Sequence, residues 1–146
     1  MIALVTGASS GIGAATARRL GREPGARLVL VARRRERLET LAAELGGATV
    51  IAADLTDAAT PGRVAERVER EHGRLDLLVN NAGAPGRGSF GRSGWAGMQA
   101  TMALNFDSQV RLTEALLPLL RRSAPSAIVN VASIAGRVAR ASVGDY

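Results

Sequence analysis

The stretch that most constrains this chain lies at its front. A short apolar run, Ile2-Ala3-Leu4-Val5, breaks into Thr6-Gly7-Ala8-Ser9-Ser10-Gly11-Ile12-Gly13, and from Ile12 a helical spacing takes over through Ala15, Thr16, Arg19 and Leu20. A strand that opens into glycines and re-forms as a helix is a ready anion site. The first N–H groups of a helix have no internal partner and sit at the positive end of its dipole. Gly7 permits the sharp turn, and Gly11 and Gly13 are expected to remove side chains where a pyrophosphate must come close. Ser9 and Ser10 place hydroxyls at the same mouth. The glycine spacing is not that of G-x-G-x-x-G, and a plain strand-to-helix turn is the competing reading.

The remaining strands and helices follow in alternation. Residues 27–32 (Arg-Leu-Val-Leu-Val-Ala) read as a second strand. Leu38, Leu41, Ala42 and Leu45 mark an amphipathic helix that Gly46-Gly47 stops. A third strand is expected over 48–53, a helix carrying Val64, Val68 and His72 on one stripe, a fourth strand over 75–80, a glycine-rich loop from Gly83 to Gly97, a mostly helical stretch over 98–121 and a fifth strand over 127–132. Strands that are almost wholly apolar and alternate with helices predict an α/β fold: a doubly wound, Rossmann-like parallel sheet covered on both faces and ending after the fifth strand. With 146 residues and no linker or repeat, one dinucleotide-binding domain over 1–146 is expected. In the helical stretch, Phe106, Val110, Leu117 and Leu120 form one apolar stripe and Leu112, Leu116 and Leu119 another, which opens the choice between one broad core face and a second face for a partner. Pro118 is expected to kink the last turn.

Composition narrows the function classes. There is no Cys, so no disulfide framework or thiolate metal site, and no metal ligand set is expected. The net charge is +6 and all 19 basic residues are Arg, so no G-K-[ST] phosphate loop can be present. The arginines alternate with Glu along helix faces, as in residues 63–71, and aromatics make up 3% of the chain; no nucleic-acid partner is expected. No apolar run nears the ~18 residues of a membrane span. A first strand beginning at residue 2 leaves no stretch for a signal or transit peptide, and a cytoplasmic location is expected.

Several positions could carry chemistry. A dinucleotide fold places an acid at the end of the second strand to hold the ribose 2′-hydroxyl; here that position is Ala32, followed by Arg33-Arg34. A carboxylate would repel a 2′-phosphate, whereas an arginine can grip it, so NADP is favoured over NAD. A solvated helix entrance over Arg33-Arg34-Arg35 is the alternative. Asp54, followed by Leu55, closes the third strand as a ligand contact or as a cap or turn residue. Asn80-Asn81-Ala82-Gly83 closes the fourth, where amides can bond neighbouring strands and Gly83 lets the chain pass close to a ribose.

T-G-A-S-S-G-I-G and N-N-A-G, in this order and on these elements, resemble the short-chain dehydrogenase/reductase family. The resemblance implies a cofactor site formed by Gly7, Ser9, Ser10, Gly11, Ile12, Gly13, Arg33, Arg34, Asp54, Leu55, Asn81, Ala82 and Gly83, with Asp54 on the adenine amino group. It implies that Asn105 orders a water relay, that Ser133 holds the oxygen of a small carbonyl or alcohol substrate, and that Tyr146, 13 residues after Ser133, exchanges a proton with it. If the second apolar stripe of the helical stretch is a partner face, the complete protein is expected to be a homodimer or homotetramer; no membrane partner is expected. The family pattern is Tyr-x-x-x-Lys and the sequence stops at Tyr146, so it is expected to be the front part of a longer protein. Without a nearby cation, a tyrosine keeps a pKa near ~10. Two other readings stay open: a dinucleotide-binding module without turnover, and a serine hydrolase through Gly7-Ala8-Ser9-Ser10-Gly11, for which His72 is the sole histidine.

Overall fold

The computed structural model describes residues 1–86 and 88–137. Five parallel strands, β1 (Ile2–Thr6), β2 (Arg27–Ala32), β3 (Thr49–Ala52), β4 (Leu77–Asn80) and β5 (Ala127–Asn130), form one sheet in the order β3-β2-β1-β4-β5. The connections carry α1 (Gly11–Leu20), α2 (Arg35–Glu44), α3 (Thr60–His72), α4 (Phe90–Met102) and α5 (Ser108–Arg122). This is the expected doubly wound, Rossmann-like arrangement.

The period of two along the strands divides the core into two layers. Ile2, Leu4, Val29, Val31 and Leu78 face Val64 and Val68 of α3 and Leu112, Leu116, Leu119 and Leu120 of α5. Ala3, Val5, Leu28, Leu30 and Val79 face Ala14 and Ala17 of α1 and Leu38, Leu41 and Ala42 of α2. Both faces of β1 and β2 are therefore buried, which is why their sequences read as unbroken apolar runs. α3 stops at Gly73, whose φ of 65° is left-handed.

The structure departs from the expected elements in two stretches. The expected loop over Gly83–Gly97 is helical from Phe90, with the helix broken at Gly94 (φ 56°, ψ −159°). Between α4 and α5, Ala103–Asp107 form a π-helical turn, which local spacing does not announce. Leu120, expected beside Phe106, lies in the core, and Pro118 sits on the exposed side of α5, which continues to Arg122. Among the described residues no helix is long and apolar enough to cross a membrane.

Candidate functional site

The strand order reverses between β1 and β4, so the crossovers on either side lead away from each other and a crevice opens beyond the carboxyl ends of these strands. Two clefts lie there, of about 270 and about 460 Å³, and share Ala82 and Gly83.

The smaller cleft collects the front loop and the end of β2. Ser10 precedes α1, and the first helical hydrogen bond runs from Ala14 N–H to the Ser10 carbonyl. The amides of Gly11, Ile12 and Gly13 thus have no intrahelical acceptor, and no acid occupies the first turn. Gly7 is left-handed (φ 66°), and a Cβ there would stand 2.8 Å from Asn81 Nδ2. Gly11 is also left-handed (φ 53°), but its missing Cβ would face open space. Gly13 differs from expectation: it is buried, and a Cβ there would meet the Gly7 carbonyl oxygen at 2.4 Å. Helix-to-loop packing, not approach of a ligand, requires glycine at that position.

The two arginines after β2 take different tasks. Arg34 donates from Nη2 to Ser9 Oγ at 2.9 Å and to Ser10 Oγ at 2.7 Å, covering the loop's hydroxyls with its charge. Arg33 lines the same cleft and makes no hydrogen bond among the described residues. Asp54 Oδ1 accepts the Thr56 N–H at 2.9 Å and the Thr56 hydroxyl at 2.7 Å, so one oxygen serves the turn reading. These bonds, helped by the charge of Arg33, hold the carboxyl below its ordinary range against partial burial and the nearby Asp57. Leu55 is buried beside it.

Thr6 is the hub that sequence reading passed over. Its buried hydroxyl accepts the N–H of Asn81 and of Ala82, both at 2.9 Å, and donates to the Val79 carbonyl at 3.2 Å. The Asn81 side chain donates back to the Thr6 carbonyl at 2.9 Å. Together they hold Ala82 and Gly83 at the junction of the clefts; a threonine at a strand end carried no signal of this by itself.

The larger cleft brings Ile12, Asn105 and Ser133 together, joined by Ala84, Pro85, Gln109 and Val131. Asn105 lies in the π-helical turn, where Oδ1 accepts the Ala84 N–H and Nδ2 donates to the Ala84 carbonyl, each at 2.9 Å. Gly83 suits the arrangement, since a Cβ there would stand 3.2 Å from Asn105 Oδ1. Gln109, one turn onward, donates to the Ala82 carbonyl at 3.5 Å. Ser133 is exposed and its Oγ accepts the Ala135 N–H at 3.1 Å, which leaves its hydroxyl proton to donate into the cleft. Of the stretch expected as a glycine-rich loop, Ala84 and Pro85 line the cleft, whereas Phe90 and Trp95 are exposed outside it. Tyr146 and Arg87 lie outside the described residues.

The hydrolase alternative fails on geometry. His72 Nε2 meets Thr49 Oγ1 at 3.1 Å, at the first residue of β3, while Ser9 follows the last residue of β1. In a parallel sheet these are opposite ends of the strands, and Ser9 is bonded to Arg34.

A glycine loop opening a helix at the switch point of a parallel sheet defines a Rossmann-like, nucleotide-binding class of fold. The short chain dehydrogenase family profile matches residues 1–146, and the chain belongs to that family. It is 40% identical over 142 residues to a rhamnolipids biosynthesis 3-oxoacyl-[acyl-carrier-protein] reductase of Pseudomonas aeruginosa, with 92% of this chain and 55% of that protein covered. It is 38% identical over 142 residues to a D-threitol dehydrogenase of Mycolicibacterium smegmatis, covering 94% of this chain and 54% of that protein. The chain thus spans about half the length of these curated relatives. A metagenomic short-chain oxidoreductase, solved in complex with NADP, superposes with a TM-score of 0.88 at 38% identity, over 97% of this chain and 66% of that one.

Proposed function

We propose that residues 1–146 are the dinucleotide-binding domain of an NADP(H)-dependent oxidoreductase acting on a carbonyl or secondary alcohol, in the cytoplasm, as a homodimer or homotetramer. The observation that carries this reading is the pair of clefts meeting at Ala82 and Gly83, one edged by Arg33 and Arg34 and the other by Ser133. When bound, the cofactor supplies or accepts a hydride at its nicotinamide ring.

The residues present fit such a ligand. The unpaired amides of Gly11, Ile12 and Gly13 would hold the pyrophosphate, with open space beside Gly11 to admit it. Arg33 and the Arg34–Ser9–Ser10 cluster would hold the 2′-phosphate, and Ala32 offers no carboxylate to repel it. The second oxygen of Asp54 would accept from the adenine amino group. Ser133 would donate to the substrate oxygen, and Tyr146 would exchange the proton that the developing charge requires. Lowering the tyrosine's pKa by about three units takes roughly 4 kcal/mol, so a cation one helical turn onward is part of the proposal. The relatives' names, a 3-oxoacyl reductase and a threitol dehydrogenase, fit chemistry at a carbonyl or alcohol carbon.

Titration of NADPH and NADH by nicotinamide fluorescence tests the assignment. NADPH should bind more tightly, and Arg33→Asp should weaken or reverse the preference; equal affinities would sink it. In a form carrying a lysine four residues after Tyr146, Tyr146→Phe should remove nearly all turnover while sparing NADPH affinity.

A further inference from the structure

Just past β5, Val131 packs against the core layer that faces α1 and α2, whereas none of the four residues of β5 is buried in this chain. The strand's side-chain tie among the described residues is Asn130, whose Oδ1 accepts from Asn80 Nδ2 at 2.9 Å. Asn80 is 1% exposed, is the register partner of Asn130, and gives its other amide hydrogen to Thr113 Oγ1 on α5 at 3.0 Å. The Asn80 carbonyl also accepts the Val131 N–H at 2.9 Å.

This chain of bonds joins the two walls of the larger cleft. Ser133 follows Asn130 by three residues, so a shift at the end of β5 is passed directly to it. Thr113 stands on the helix that also carries Gln109, which reaches the Ala82 carbonyl. We infer that Thr113, through Asn80 and Asn130, is a positioning residue that sets Ser133 against the opposite wall of the cleft. The inference rests on the role proposed above for Ser133, and the hydroxyl of Thr113 is what it requires.

The test compares Thr113→Val, which keeps the shape but leaves a buried Asn80 N–H without an acceptor, with Thr113→Ser, which restores one. Hydrogen exchange at the Val131 amide is read on this chain, and carbonyl reduction with NADPH on a full-length form. Thr113→Val should speed Val131 exchange and lower kcat, each by about tenfold, with NADPH affinity unchanged, and Thr113→Ser should restore both. Asn130→Ala, at an exposed position, should reproduce the pattern should the valine variant not fold. Unchanged Val131 exchange in the variants, or faster exchange with an unchanged kcat, would overturn the inference. If wild-type protein reduces no carbonyl, the functional reading falls, while the exchange comparison still decides whether the bracket holds β5.

Discussion

Gly11 and Gly13 are both glycines of one loop, yet different forces hold them. At Gly13 an added Cβ would stand 2.4 Å from a backbone oxygen, and backbone cannot swing aside as a side-chain end does. Gly13→Ala should therefore cost roughly 1–3 kcal/mol or more, as overpacking does. Gly11→Ala meets no atom and pays the left-handed backbone penalty, about 1–2 kcal/mol, but it places a methyl where a pyrophosphate would lie. Thermal melts should show Gly13→Ala as the more destabilised, and fluorescence titration should show Gly11→Ala folded with weakened NADPH binding. Equal stability of the two variants would contradict the packing account.

At the scale of elements, the run from α4 through the π-helical turn into α5 has two dissimilar faces. Leu112, Leu116, Leu119 and Leu120 are buried against the sheet and α3. Trp95, Phe106 and Val110 are 68%, 56% and 51% exposed, with Met102 between them. An exposed apolar stripe of this size favours association, since it is removed from water when it meets its like. Sedimentation equilibrium of a full-length form should find a dimer or tetramer, and Phe106→Arg should shift it toward monomer. A wild-type monomer at micromolar concentration would refute this.

Across the whole molecule, acid should remove stability in two stages. Burial, aided by the charge of Arg27 and opposed by that of Glu71, depresses the pKa of His72 below its ordinary value. Above about pH 6.5 the imidazole is neutral both folded and unfolded and contributes nothing. Below it the unfolded chain takes up a proton that the fold resists, so stability falls as pH drops. Asp54 and Asp57, held below their ordinary values by turn hydrogen bonds, stabilise the fold above about pH 4 and lose that contribution as pH falls through the carboxylate range. Asp76 joins them: burial acts against its charge, but the Ile2 N–H and Arg74 outweigh it. Melting midpoints should decline first below about pH 6.5, and His72→Gln should abolish that first stage while leaving the second. A first stage that persists in His72→Gln would place its origin elsewhere.

The sequence by itself determined the parts whose signals are local. Period and punctuation located all five strands, Leu38, Leu41, Ala42 and Gly46 outlined α2, and the glycines after Val5 marked the loop that the crevice is built on. The family followed from two short motifs, because each must supply particular backbone shapes at a strand end. What tertiary structure decided was which neighbour each polar group meets. Nothing near Thr6 in the chain indicates that it will bond Asn81 and Ala82, some 75 residues away, nor that Arg34 rather than Arg33 will cover Ser9 and Ser10. The division of Gly11 from Gly13 and the pairing of Asn105 with Ala84 were settled the same way. Backbone preference and hydrophobic period act over a few residues, whereas a hydrogen bond or a steric clash needs two atoms in space, and only the assembled sheet brings those atoms together.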